Sequence, residues 1–294
     1  MSFVFINKES ANKGLRRVAL AQIDTALVEI HDQELPRETI VHQVRKHCKK
    51  LRGLLRLVRP ALGKTYAEEN AHFREAASQL SQARDAATVL TAFDKLRDHF
   101  AQLLEPSALA AIRATLETRR NQIAAAEGDV DQRLAAFEKQ MRAARERIGD
   151  WKLSEKGFAA FGGGFKKTYQ AGREAMQVAL DEPTAHNLHE WRKHAKYHWY
   201  HVRLLVQMWP KNFKGRRRQL KELADLLGDD HDLANLRGLI TPAEAPLEPA
   251  HELLFALIDQ RRRTLHEAAF ALGKELYAAS PDKLTRQLKK QYRR

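Results

Sequence analysis

The segment HQVRKHCK at residues 42–49 returns as HEWRKHAK at 189–196. His42 and His189 stand 147 residues apart, and the same spacing separates Asp85 in LSQARDAATVL (80–90) from Asp232 in LGDDHDLANLR (227–237). Upstream, Gly14-Leu15-Arg16-Arg17 faces Gly164-Phe165-Lys166-Lys167 at an offset of 150, so the following connection is slightly shorter in the second copy. A chain built on such a duplication must fold as two related units, and two copies are too few for a solenoid. The expected arrangement is a pair of helical bundles, residues 1–149 and 150–294, related by a pseudo-twofold axis and together making one domain.

Both units read as helical. Apolar residues recur three and four apart, and the 14 Gly and 9 Pro gather at breaks rather than inside the periodic stretches. The spacing predicts helices over 10–31, 37–59, 66–84, 86–104, 107–127, 129–148, 162–180, 184–208, 213–227, 231–239, 247–273 and 281–293. No stretch alternates strictly enough for a strand, so the fold class is all-α.

Charge narrows the partners. The 51 Lys and Arg against 37 Asp and Glu give +14, a field that attracts polyanions such as nucleic acids, anionic membranes and phosphate polymers. No uncharged apolar run nears the roughly 18 residues of a membrane span, and the opening MSFVFINKES has too short an apolar stretch for a signal peptide. The sequence therefore points to the cytoplasm and to no membrane partner. Cys48, the single cysteine, can close no internal disulfide and excludes a cysteine-based zinc site.

At about 100° per residue, the second octapeptide and its continuation place His189, Arg192, Lys193, Lys196, Tyr200 and Arg203 on one helix face. Trp191, Ala195, Val202, Leu205, Val206 and Trp209 gather opposite. The first copy repeats this, with His42, Arg45, Lys46, Lys49 and Arg56 on one stripe and Val44, Cys48, Leu51, Leu55 and Leu62 across from it. An ordinary solvated face mixes signs, because like charges at i,i+4 cost roughly 0.2–0.5 kcal/mol each. Neither stripe carries a carboxylate, and an external anion is expected to complete both.

With these elements duplicated and in order, the chain resembles the CHAD family (conserved histidine α-helical domain) over nearly its whole length. The resemblance rests on VHQVRKHCKKLRGLLRL (41–57), LHEWRKHAKYHWYHVRLL (188–205), Arg84-Asp85, His231-Asp232 and GFKKTYQAGREAM (164–176). It implies two pseudo-symmetric helical bundles that bind inorganic polyphosphate. It further implies anion-binding roles for His42, Arg45, Lys46 and Lys49, and for His189, Arg192, Lys193 and Lys196. Lys166, Lys167, Tyr169 and Arg173 match the basic segment before the second histidine helix, with Arg16 and Arg17 as looser counterparts. Arg84 and His231, at equivalent places in the two copies, are further candidates, as are Arg56, Tyr200 and Arg203 on the stripes. The match begins within about a dozen residues of Met1, which implies the stand-alone form without an attached triphosphate-processing domain.

The chemistry of the residues agrees with that expectation. A linear polyphosphate presents oxygens in every direction and needs many distributed donors: forked Arg, mobile Lys, and directional His or Tyr. The spacing of His194, His198 and His201 suggests a metal ridge, but it lies off the basic stripe and the first copy keeps only His47; a partly buried flank is the expectation, and no metal. Asp229 or Asp230 is expected to cap a helix that follows. Arg119-Arg120, Arg216 to Arg218 and Arg261 to Arg263 read as surface charge. Trp191 and Trp209 read as core, which counts against single-stranded nucleic acid as the partner. No P-loop, nucleophile elbow or paired carboxylates appear. The reading is a non-catalytic polyphosphate-binding scaffold, sensor or granule-associated protein without a cofactor; the alternatives are a polyphosphate-processing enzyme and a nucleic-acid binder.

Overall fold

The computed structural model describes residues 3–80, 82–105, 107–126, 130–240 and 249–292, with the side chains at 82–87 and 124–126 outside that description. The described residues form twelve α-helices and no strand. The first half contributes α1 (Ala11–Ile30), α2 (Arg37–Leu57), α3 (Arg59–Leu62), α4 (Lys64–Ser78), α5 (Gln82–His99), α6 (Ala110–Ala126) and α7 (Val130–Arg147). The second contributes α8 (Ala159–Asp181), α9 (Ala185–Leu205), α10 (Pro210–Ile240), α11 (Pro249–Leu276) and α12 (Pro281–Gln291).

Local chemistry sets these ends. The side chains of Ser10, Thr184 and Ser280 accept hydrogen bonds from the backbone N–H of Lys13, Asn187 and Lys283, capping α1, α9 and α12. Pro281 follows its cap at the first helical position, where the missing N–H is not needed. Gly63 turns the chain between α3 and α4 at φ 62°, a conformation that favours glycine.

Helix pairing repeats between the halves. Helix α1 packs on α2 and α7, α2 on α4, and α5 on α6; correspondingly α8 packs on α9 and α12, α9 on α10, and α10 on α11. In this correspondence the single α10 stands for both α4 and α5. The sequence reading expected a break near Gly228, but α10 runs unbroken from 210 to 240.

The apolar core runs across residues 149 and 150, the boundary between the two expected bundles. One cluster joins Leu15, Val44, Leu51 and Phe73 of the first half to Phe161, Trp191, Leu205 and Phe213 of the second. The other joins Phe93, Leu96, Ile112 and Leu116 on α5 and α6 to Leu233, Leu236, Leu254 and Ile258 on α10 and α11. Each half covers part of the other's apolar surface, since α2 packs on α8 and α9, and α5 packs on α10.

The approach of α8 to α2 is close enough to exclude any side chain at Gly164. A Cβ there would fall on the carbonyl oxygen of Leu57 and lie 2.5 Å from that of Arg56.

Candidate functional site: a cationic seam where the repeated helices meet

Both histidine helices bury the face that the sequence assigns to the core. Val44, Cys48, Leu51 and Leu55 on α2, and Trp191, Ala195, Val202 and Leu205 on α9, are at most 1% exposed. Their opposite faces converge. The Nε2–H of His201 donates to the Gly53 carbonyl at 3.0 Å, Tyr200 lies against Gly53, and the Arg56 guanidinium sits 4.2 Å from the Tyr197 ring centroid.

Near the N-terminal end of α9, α10 supplies His231, whose Nδ1 is 3.2 Å from Nδ1 of His189 with ring centroids 4.3 Å apart. Asn235 Nδ2 lies 3.3 Å from Nε2 of His231 and donates to it. Neutral His231 then carries its proton on Nδ1 and donates to His189, which leaves the His189 proton on Nε2 as a donor. Burial pushes His231 down to about 4, helped by the charges of His189, Arg192 and Lys49. His189 is lowered too, by burial first and then by Arg192 and Lys193. Residues from both repeats thus share one electrostatic neighbourhood: Lys49 from the first, and His189, Arg192 and His231 from the second. Arg192 reaches α10 over Gly228, where an added Cβ would stand 3.6 Å from its Nε.

A second cationic group lies on the same pair of helices. Lys50 is pushed down to about 8 by burial, with Arg203 and Lys46 adding repulsion. Arg203 is half-buried, its guanidinium 5.5 Å from the Phe3 ring and 5.6 Å from that of Trp199. Lys50 was missed at sequence level, although its i,i+4 relation to Lys46 was the available signal. Asn235, which sets the histidine tautomers, carried no such signal.

Other expected contacts are placed differently. Tyr200 is buried against the edge of Phe3 and against Gly53, where an added Cβ would stand 3.0 Å from its ring. Tyr169 is buried and its hydroxyl donates to the Ala279 carbonyl at 2.7 Å, so it anchors the turn after α11. Arg16 donates to the Trp151 carbonyl at 2.9 Å, and Arg17 binds Glu9 and the Val4 carbonyl; both fasten neighbouring segments to α1. Lys166 pairs with Asp282 at 2.6 Å, while Lys167 and Arg173 stand exposed on α8. Lys193 pairs with Glu190 at 2.7 Å, so the second stripe has an adjacent carboxylate after all.

On α2, Arg45 hydrogen-bonds the Ala77 carbonyl and ties the helix to α4, whereas Lys46 is exposed and His42 lines a neighbouring groove. Lys196 is half-buried on α9. The side chain of Arg84 lies outside the described residues, as does that of Asp85.

The remaining motifs are structural. Asp230 caps nothing: it is buried within α10 and accepts from Arg262 at 2.8 Å and His266 at 2.7 Å. Burial alone would raise its carboxyl, but these hydrogen bonds hold it below the ordinary range. His198 and His201 are buried, His198 accepting from Arg216 and His201 serving the helix crossing. Arg216 is itself held among Tyr169, His198 and the Leu276 carbonyl rather than spread as surface charge. Among the described residues, no group of three or more His, Cys, Asp or Glu is placed to hold a metal ion. No described helix is long and apolar enough to cross a membrane.

Comparison with known proteins places this architecture. PptA from Streptomyces chartreusis superposes with a TM-score of 0.57 at 15% identity, covering 92% of this chain and 100% of its own. The CHAD domain from the plant Ricinus communis superposes at 0.52 with 14% identity, covering 98% and 95% respectively. At these identities the likeness speaks for the fold. A sequence search of curated proteins gives no match. The CHAD domain family itself matches residues 17–241, well over half of the sequence and both histidine helices. The chain belongs to the CHAD domain family.

Proposed function

We propose that the protein binds inorganic polyphosphate along the seam between α2, α9 and α10, as a scaffold or sensor that does not turn the polymer over. The observation that carries this is the convergence of Lys49, His189, Arg192 and His231, from both repeats, around one histidine pair. Burial is the main cause of the depressed His231, but His189, Arg192 and Lys49 add to it, and a polyanion offsets that added repulsion. Family membership supports the same ligand. A binding rather than phosphotransfer role is supported by the state of the α10 carboxylates, since Asp230 is held by Arg262 and His266, and Asp229 by Lys95 at 3.2 Å. Cytoplasmic residence and attachment to polyphosphate granules would follow from this ligand.

The test is a competition at fixed salt among long-chain polyphosphate, duplex DNA and RNA. Polyphosphate should win by at least tenfold, and incubation with polyphosphate and Mg²⁺ should release no phosphate. Equal or tighter binding of DNA would turn the reading toward nucleic acid. Turnover by folded protein would establish the enzymatic alternative.

A further inference from the structure

Beside the seam lies a groove of about 630 Å³ between the start of α2, the second half of α5, the 229–233 stretch of α10 and the middle of α11. Its composition differs from that of the seam. Val41, Ala92, Leu96 and Leu233 are buried beneath it and give it an apolar floor. Thr39, Thr88 and Thr91 line its walls. The charged lining is mixed: Glu38, Asp229 and Asp232 against Lys95 and Arg261.

A linear polyphosphate is a poor occupant of such a space. It offers only acceptors at neutral pH, and carboxylates are acceptors as well, so the two repel and exchange no hydrogen bond. Nor does it carry anything to cover an apolar floor. The groove instead matches a neutral group with one flat apolar face, hydroxyls and amino donors, in a size range typical of small-molecule sites.

The groove is also contiguous with the seam by sequence and helix geometry. Asp232 lines the groove and directly follows His231. His42 lines the groove and starts the α2 stripe on which Lys49 lies about 10 Å further along the helix. A ligand with an anionic chain at one end and a neutral, donor-bearing head at the other would satisfy both surfaces.

We propose that the groove holds the nucleoside end of a nucleoside polyphosphate whose phosphates lie in the seam. This rests on the seam being a phosphate site. Ribose hydroxyls and a base amino group meet the threonines and carboxylates, and the base covers Leu96 and Leu233. The chain thereby distinguishes phosphate polymers that carry a nucleoside from those that do not.

The experiment is calorimetric titration of the full chain with ATP and with tripolyphosphate, at one salt concentration and without divalent metal. ATP should bind at least tenfold tighter than tripolyphosphate. Thr91→Trp, at an exposed position on α5 that fills the groove, should bring ATP down to the tripolyphosphate level and leave tripolyphosphate unchanged. Arg192→Ala should weaken both ligands. ATP binding no tighter than tripolyphosphate, or an equal loss of both in folded Thr91→Trp, overturns the groove assignment. ATP binding with no tripolyphosphate binding supports the groove and removes the polyphosphate reading of the seam. Failure of both ligands to bind removes both.

Discussion

Nδ1 of His189 and Nδ1 of His231 lie 3.2 Å apart, so the two rings share one hydrogen bond and disfavour two imidazolium charges at once. This pair is the point at which α9 meets the Asp229–Asp232 stretch of α10, and it gives the seam a defined proton inventory.

The first prediction concerns protons taken up on binding. In the free protein burial and neighbouring cations hold His231 at about 4, so it is neutral at pH 6 to 7, and they lower His189 from its ordinary value. A bound polyanion favours the charged ring and raises these values, so the complex holds more protons than the free protein above pH 4. Affinity for polyphosphate should therefore rise as pH falls from 7 toward 5. Calorimetry in buffers of different ionisation enthalpy should show net uptake at pH 6, and the His189→Gln/His231→Gln double variant should lose most of it.

A second prediction separates seam residues from paired surface cations. Charge-assisted hydrogen bonds are worth about 1.5–3 kcal/mol, so Arg192→Ala and Lys49→Ala should each weaken polyphosphate binding by roughly 10- to 100-fold. Lys193→Ala should cost less, because Glu190 already holds Lys193. Lys289→Ala, exposed on α12, should be nearly silent. Unchanged far-ultraviolet circular dichroism would assign the losses to binding rather than to folding.

Stability should fall on the acid side because of buried histidines outside the seam. His47 is pushed down to about 3 by burial and by Lys50 and Lys46, and His201 to about 3 by burial. Between those values and the unfolded value near 6.5, the unfolded chain binds more protons, so stability rises with pH across that window. Their contribution is complete above pH 6.5 and is lost progressively below it, at up to about 1.4 kcal/mol per unit for each ring. Urea midpoints measured from pH 7.5 to 5 should decline, and His47→Gln should flatten the decline.

Two glycines should respond oppositely to alanine. Gly164→Ala places a methyl group on the Leu57 carbonyl and forces α8 off α2, at a cost of about 3 kcal/mol or more. Gly215 is exposed inside α10 with nothing within 4 Å of its added Cβ, so Gly215→Ala should stabilise by about 0.5–1 kcal/mol. Chemical denaturation of the two variants checks both signs.

Much of the fold is legible because amphipathic periodicity is local. The wheel assigns Cys48 and Trp191 to the core from their own neighbours in sequence, and both are fully buried. Local periodicity does not reveal the partners of Tyr169, Tyr200 and Arg16, which are Ala279, Gly53 and Trp151, each more than a hundred residues away. Asp230 is misread for a similar reason: an acidic residue reads as a helix cap until Arg262 and His266 arrive from α11. Of the seam, the cationic faces of α2 and α9 could be read in advance. The pairing of His189 with His231 could not, since it depends on the angle at which α10 crosses α9.

The sharing of apolar faces between halves also has a consequence for synthesis. Phe93, Leu96, Ile112 and Leu116 leave the ribosome before Leu233, Leu236, Leu254 and Ile258, which close over them. Well over a hundred residues separate Leu116 from Leu254. At about 5–20 residues per second, the nascent α5–α6 hairpin waits for seconds with its greasy side uncovered. The duplication that builds the seam thus leaves the first copy dependent on the second from the moment of translation, and makes the growing chain a client for whatever shields apolar surface until α11 emerges.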